Sequence, residues 1–308
     1  MKETRSERAA ASKLRPWAAR IVQLEGPKRF LCCAAMAAVM SSAVAMVARD
    51  LATERGAALD DSWANFGRVA CAWCALNVAL LFLLAHADAS APPRVDARAP
   101  RFADYPLFAW LCPGAQQLAF FAPAAARLAA GWWSARAAAS CARRPAREGA
   151  LVAHAIASLA GMQLRELLAF DCDALLVAHH VATIALAALA WRALRADGDY
   201  ALALATAAAT SAMEAGSVGI VLWTVSGGGS RFWRAAYAAV LTASHAVVLV
   251  TGVVGHVLQR PGRWEGWLIF GVALRLMHAR HAHMVAEVTA GAASGVFASA
   301  PKEKERPD

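Results

Sequence analysis

Charge is scarce in this 308-residue chain: Asp, Glu, Lys and Arg make up 17% of it, against about a quarter in soluble globular domains. Also missing is the even, regularly spaced cysteine set of a disulfide scaffold, because the seven cysteines are odd in number and mostly lie within apolar runs. Cys71-Ala72-Trp73-Cys74 has zinc or redox spacing, but with no second ligand pair nearby it reads as structural. There is no internal repeat. No basic run is interleaved with aromatics, so the basic balance of the chain does not point to nucleic acid. The first apolar run begins only near residue 30, so no signal peptide is expected.

Apolar sequence fills the space left by those absences. The hydrophobic set reaches 59% and the mean hydropathy is +0.42. The apolar residues come in long blocks, and blocks of about 17–25 residues are what a transmembrane helix requires. Eight such spans are expected, at 30–48, 67–87, 106–133, 150–169, 174–193, 200–224, 233–257 and 264–288. The fold class is therefore all-α, a polytopic transmembrane helical bundle with short connections. Span 106–133 is the weakest, since Pro113, Pro123, Gln116, Gln117 and Arg127 interrupt it. If it does not cross, seven spans remain.

The net charge of +9 is concentrated at the ends. Residues 1–29 form a basic segment, residues 291–308 a charged tail, and both termini are expected on the cytosolic side, consistent with an even number of spans. The Arg-rich loop 134–149 runs against that topology. The basic N-terminus suits anionic headgroups at a membrane surface.

Inside the spans, polar residues are the exception and carry the information. His179 and His180 are adjacent in the apolar run 174–193, with Thr183 one turn on and within hydrogen-bonding reach of either ring. Asp171 and Asp173 fall at the start of that helix, where carboxylates suit the helix dipole. On the next span, Thr206, Thr210, Ser211, Glu214 and Ser217 form one stripe among Ala, Leu and Val. Ser and Thr there are explained by close helix packing. Glu214 is not, and its carboxyl group must be protonated or paired; His179 or His180 is the expected partner. His154, Ser158 and Arg165 share a face of span 150–169. His245 and His256, eleven residues apart, return to nearly the same angle of a regular helix. Together these residues predict a polar-lined cavity enclosed by the last five spans.

A metal centre is not expected. His278, His281 and His283 make H-x-x-H-x-H, and no histidine stands three residues before the His179–His180 pair, so the repeated boxes of membrane di-iron enzymes are absent.

At His179-His180-Val181-Ala182-Thr183, with acidic residues upstream and Glu214 on the following helix, the sequence resembles the TLC-domain membrane proteins, a family that includes the ceramide synthases. The resemblance covers residues 106–290 and implies a six-helix core there, with two further helices in 30–105. Ceramide synthases carry aspartates on the helix after the histidine pair, whereas residues 206–211 here are Thr-Ala-Ala-Ala-Thr-Ser. The likeness is thus nearer to family members outside the synthase branch.

What the resemblance implies is a role in lipid homeostasis, with sphingolipid or ceramide the family's chemistry, in the endoplasmic reticulum. The lipid would bind in an intramembrane cavity lined by His179, His180 and Glu214, with Thr183, Asp171, Asp173, Thr210, Ser211, His154 and His245 in support. Membrane lipids are then the partners, and no cofactor is needed. The alternative is an acyl-CoA-dependent N-acyltransferase, with acyl-CoA as co-substrate and His179 and His180 catalytic, one ring acting as general base or transient acyl carrier.

Overall fold

The computed structural model describes residues 14–52, 62–88, 107–137, 146–172, 174–194, 199–225, 231–259 and 262–293. Ten α-helices occur in these stretches: α1 (Pro16–Val22), α2 (Gly26–Ala52), α3 (Trp63–Asp88), α4 (Leu107–Gln116), α5 (Ala122–Ala137), α6 (Ala146–Ala169), α7 (Ala174–Arg192), α8 (Tyr200–Val225), α9 (Arg231–Val248) and α10 (Trp264–Ala293). No strand is found among the described residues; an isolated antiparallel bridge joins Leu14 to Phe170.

Each of the eight expected spans coincides with a helix or a helical run. Among the described residues, four helices are long and apolar enough to cross a membrane, namely Gly26–Ala52, Trp63–Ala87, Tyr200–Val225 and Phe232–Val254. Phe30, Leu31 and Phe232 are exposed to 74%, 66% and 69% on the outside of the bundle. Surface of that kind is tolerable against lipid and costly against water. The chain is an all-α membrane protein.

The weakest expected span is one helical run with a defect in it. A π-helical turn, Gln117–Phe121, joins α4 to α5 without a break. Pro113 lies inside α4 and Pro123 near the start of α5. Each proline removes an N–H from the i→i−4 ladder, and a single wide turn is a common way to absorb the mismatch. That turn points Gln117 into the bundle, where its side chain is buried. A second π segment, Leu249–Val254, extends α9.

The central helix is α8. It packs against α4, α5, α6 and α9, and half of its sixteen buried residues are alanine or glycine. Small residues let helix backbones approach closely, which is how helices associate where lipid removes the hydrophobic drive. Gly216 and Gly219 mark the tightest points: a Cβ on Gly216 would sit 2.1 Å from Ser244 Oγ, and one on Gly219 would sit 2.8 Å from Tyr237 Cα.

The segment before α1 closes one end of the bundle. Arg15 N donates to Ala169 O at 2.9 Å, Arg15 Nε to Phe170 O at 3.2 Å, and Trp17 Nε1 to Leu168 O at 3.0 Å. Those carbonyls belong to the last turn of α6 and the residue after it, where no intrahelical donor remains. The N-terminal segment therefore caps α6 from outside.

Candidate functional site

One cavity of about 490 Å³ lies between α4, α6, α7, α8, α9 and α10. Its wall is mainly apolar, and the polar groups fall in two clusters.

The first cluster joins α6 to α7. The His180 ring is buried, and its Nδ1 meets Gln163 Oε1 of α6. An amide oxygen only accepts, so Nδ1 is the donor and Nε2 keeps its lone pair; Nε2 has no hydrogen-bond partner among the described residues. The His179 ring lines the same cavity, with its centroid 5.4 Å from that of His180 and the planes 59° apart. Beside them, fully buried Arg165 pairs with Glu166 and lies 6.0 Å from the Phe170 ring centre.

Contact across the bundle between α8, the π turn and α10 makes the second cluster. Gln117 Nε2 donates to Glu214 Oε2 at 3.2 Å. One turn along α8, Ser217 Oγ accepts from Arg280 of α10 and donates to Met213 O at 3.0 Å. Thr206 and Thr210 complete the α8 wall.

His179, His180, Thr183, Thr210 and Glu214 thus border one space, but their bonds differ from those expected. Thr183 Oγ1 donates to the His179 backbone carbonyl at 2.8 Å and not to an imidazole, because in a helix the i−4 carbonyl is the nearest acceptor. The side chain that holds Glu214 is Gln117, which the π turn brings inward, and neither histidine bonds to the carboxyl group.

Other expected members lie elsewhere. Ser211 is buried in α8 away from the cavity, with no hydrogen-bond partner for its hydroxyl among the described residues. Asp171 is exposed in the connection after α6, and Asp173 lies outside the described residues. His154 sits in a separate buried cluster: Trp73 Nε1 donates to its Nδ1 at 3.1 Å, and its Nε2 lies 3.5 Å from the Asp50 carboxylate, which also pairs with Arg68 at 3.1 Å. It therefore ties α6 to α2 and α3. His245 faces His281 of α10, with ring centres 5.8 Å apart. His256 packs on Phe270 and lies 3.8 Å from Asp199. Both histidines thus contact α10, although a π segment, Leu249–Val254, lies between them.

Gln163, Glu166 and Arg280 were not singled out by sequence reasoning. Each is a polar residue in a largely apolar run, and that was the signal available. Among the described residues, no group of three or more His, Cys, Asp and Glu side chains could hold a metal ion. No protein-family model matches the chain, and comparison with curated proteins and with solved structures gave no match either.

Proposed function

We propose that the chain is a lipid-handling membrane protein of the TLC type, which binds a membrane lipid in the cavity bordered by His179, His180 and Glu214. In this reading all eight long helical runs cross the bilayer, residues 106–290 form the six-helix core, both termini face the cytosol, and the protein resides in the endoplasmic reticulum. The observation that carries the reading is the cavity: about 490 Å³, within the range of roughly 300–1,000 Å³ common to small-molecule sites, with apolar walls and few polar groups. Such a space suits an acyl chain with its polar end at the histidines.

The test is mass spectrometry of lipid extracted from the purified protein. Wild type should carry a stoichiometric long-chain lipid. Thr210→Trp, which fills the cavity, should lose it while remaining monodisperse in detergent. Equal lipid in both would refute the reading. Protease protection of tags at each end in intact microsomes tests the topology.

An acyl-CoA-dependent acyltransferase is the second reading, and one observation favours it. With Nδ1 committed to Gln163, Nε2 of His180 has no hydrogen-bond partner among the described residues, and it would serve as a general base once the neighbouring side chains that bury it move aside. It would take the proton from an acceptor N–H or O–H as that atom attacks the thioester carbonyl, and CoA would leave as the thiol. The residue orienting the ring would then be Gln163, not Glu214.

A further inference from the structure

The cavity contains two oppositely charged pairs of side chains, and only one pair is closed. Arg165 and Glu166 are in direct contact. Glu214 and Arg280 both line the same space. Among the described residues, however, Arg280 makes no ion pair with any carboxylate. Its guanidinium is held one helical turn away on Ser217 Oγ, and Glu214 is held by Gln117, which lines the same cavity. Both side chains are only partly buried, so both present surface to the cavity. A carboxyl group in a membrane interior ionises where a cation meets it, and ionisable residues inside a bundle mark places where something binds.

We propose that the Glu214–Arg280 gap is a headgroup subsite for a zwitterionic lipid, and this rests on the cavity being a lipid site. The ligand's ammonium group lies at Glu214, its anionic oxygen at Arg280, and its chain along the apolar wall. A purely anionic head would meet the Glu214 carboxylate, and a purely cationic one would meet Arg280. A zwitterion matches both charges and leaves the site neutral. Gln117 and Ser217 keep the two side chains from collapsing onto each other, which would close the gap.

The test uses four single-chain probes with the same sixteen-carbon chain, competing with tritiated monopalmitoylglycerol on the full chain in detergent. Palmitoyl lysophosphatidylethanolamine is the zwitterion, lysophosphatidate the anion, hexadecylamine the cation and monopalmitoylglycerol the neutral form. The zwitterion should compete about tenfold better than each of the others, roughly 1.4 kcal/mol. Arg280→Gln, which keeps a donor for Ser217, should reduce the zwitterion to the level of the amine, and Glu214→Gln should reduce it to the level of lysophosphatidate. Monopalmitoylglycerol should change less than twofold in either variant. If wild type does not prefer the zwitterion, or if the preference survives both substitutions, the subsite is overturned while the lipid cavity stands. Failure of the tracer itself to bind overturns both. Should neither variant be monodisperse, the wild-type ranking alone decides.

Discussion

Gly161, in α6, is where the packing of this bundle is most sharply testable. A Cβ at this position would lie 2.6 Å from Ala70 O, 2.6 Å from Trp73 Cβ and 2.8 Å from Cys74 N, all on α3. Unstrained contacts need about 3.5 Å, so Gly161→Ala forces the two helices apart by roughly 1 Å. Two of the three obstructing atoms are backbone, and no rotamer change can relieve them. Within the same interface, the Trp73 indole donates to His154 at 3.1 Å, and this separation would break that bond. Overpacking costs about 1–3 kcal/mol, and stranding a buried donor and acceptor about 1–3 kcal/mol more. Against this, alanine gains up to about 1 kcal/mol over glycine in a helix. The net expectation is a loss of about 1–5 kcal/mol. Gly271, in α10, is the control, because nothing lies within 4 Å of its would-be Cβ; the same substitution there should be neutral or slightly stabilising. Thermal unfolding in detergent, followed by tryptophan fluorescence, measures both. Equal midpoints for wild type and Gly161→Ala, or equal losses at the two glycines, would refute the close α3–α6 contact.

Three further expectations concern the cavity and the N-terminal cap. Glu214→Gln should reduce co-purified lipid less than Glu214→Ala, since glutamine keeps an oxygen for the Gln117 amide; quantitative lipid mass spectrometry distinguishes them. Gln163→Leu removes the acceptor that fixes the His180 tautomer, so the ¹⁵N shifts of labelled His180 should move from the Nδ1–H form toward a mixture, and the unpartnered buried ring should lower stability by about 1–3 kcal/mol. Trp17→Phe removes the exposed bond to the Leu168 carbonyl at the end of α6 and should cost at most about 1 kcal/mol, read as a slightly lower unfolding midpoint and faster amide exchange at 168–170.

The helices were legible in the sequence because a membrane imposes one rule on every residue of a span. Backbone polar groups must be satisfied internally and side chains must be apolar, so 30–48, 67–87, 200–224 and 233–257 stand out without any knowledge of contacts. For the same reason each polar residue in a span was conspicuous: His179, His180 and Glu214 were found as exceptions to the rule. Their partners were not, because a partner depends on how neighbouring helices are rotated and on breaks in the helical period. The π turn at Gln117–Phe121 brings Gln117 to Glu214, which a periodicity of 3.6 does not anticipate. His154 shows the same limit, since only the packing of α2 and α3 against α6 makes it a tie between helices and keeps it out of the cavity. Composition and hydropathy determined which segments are helices and which residues are anomalous. The rotation of those helices, set by small residues at close contacts such as Gly161 and Gly216, decided which anomalies meet.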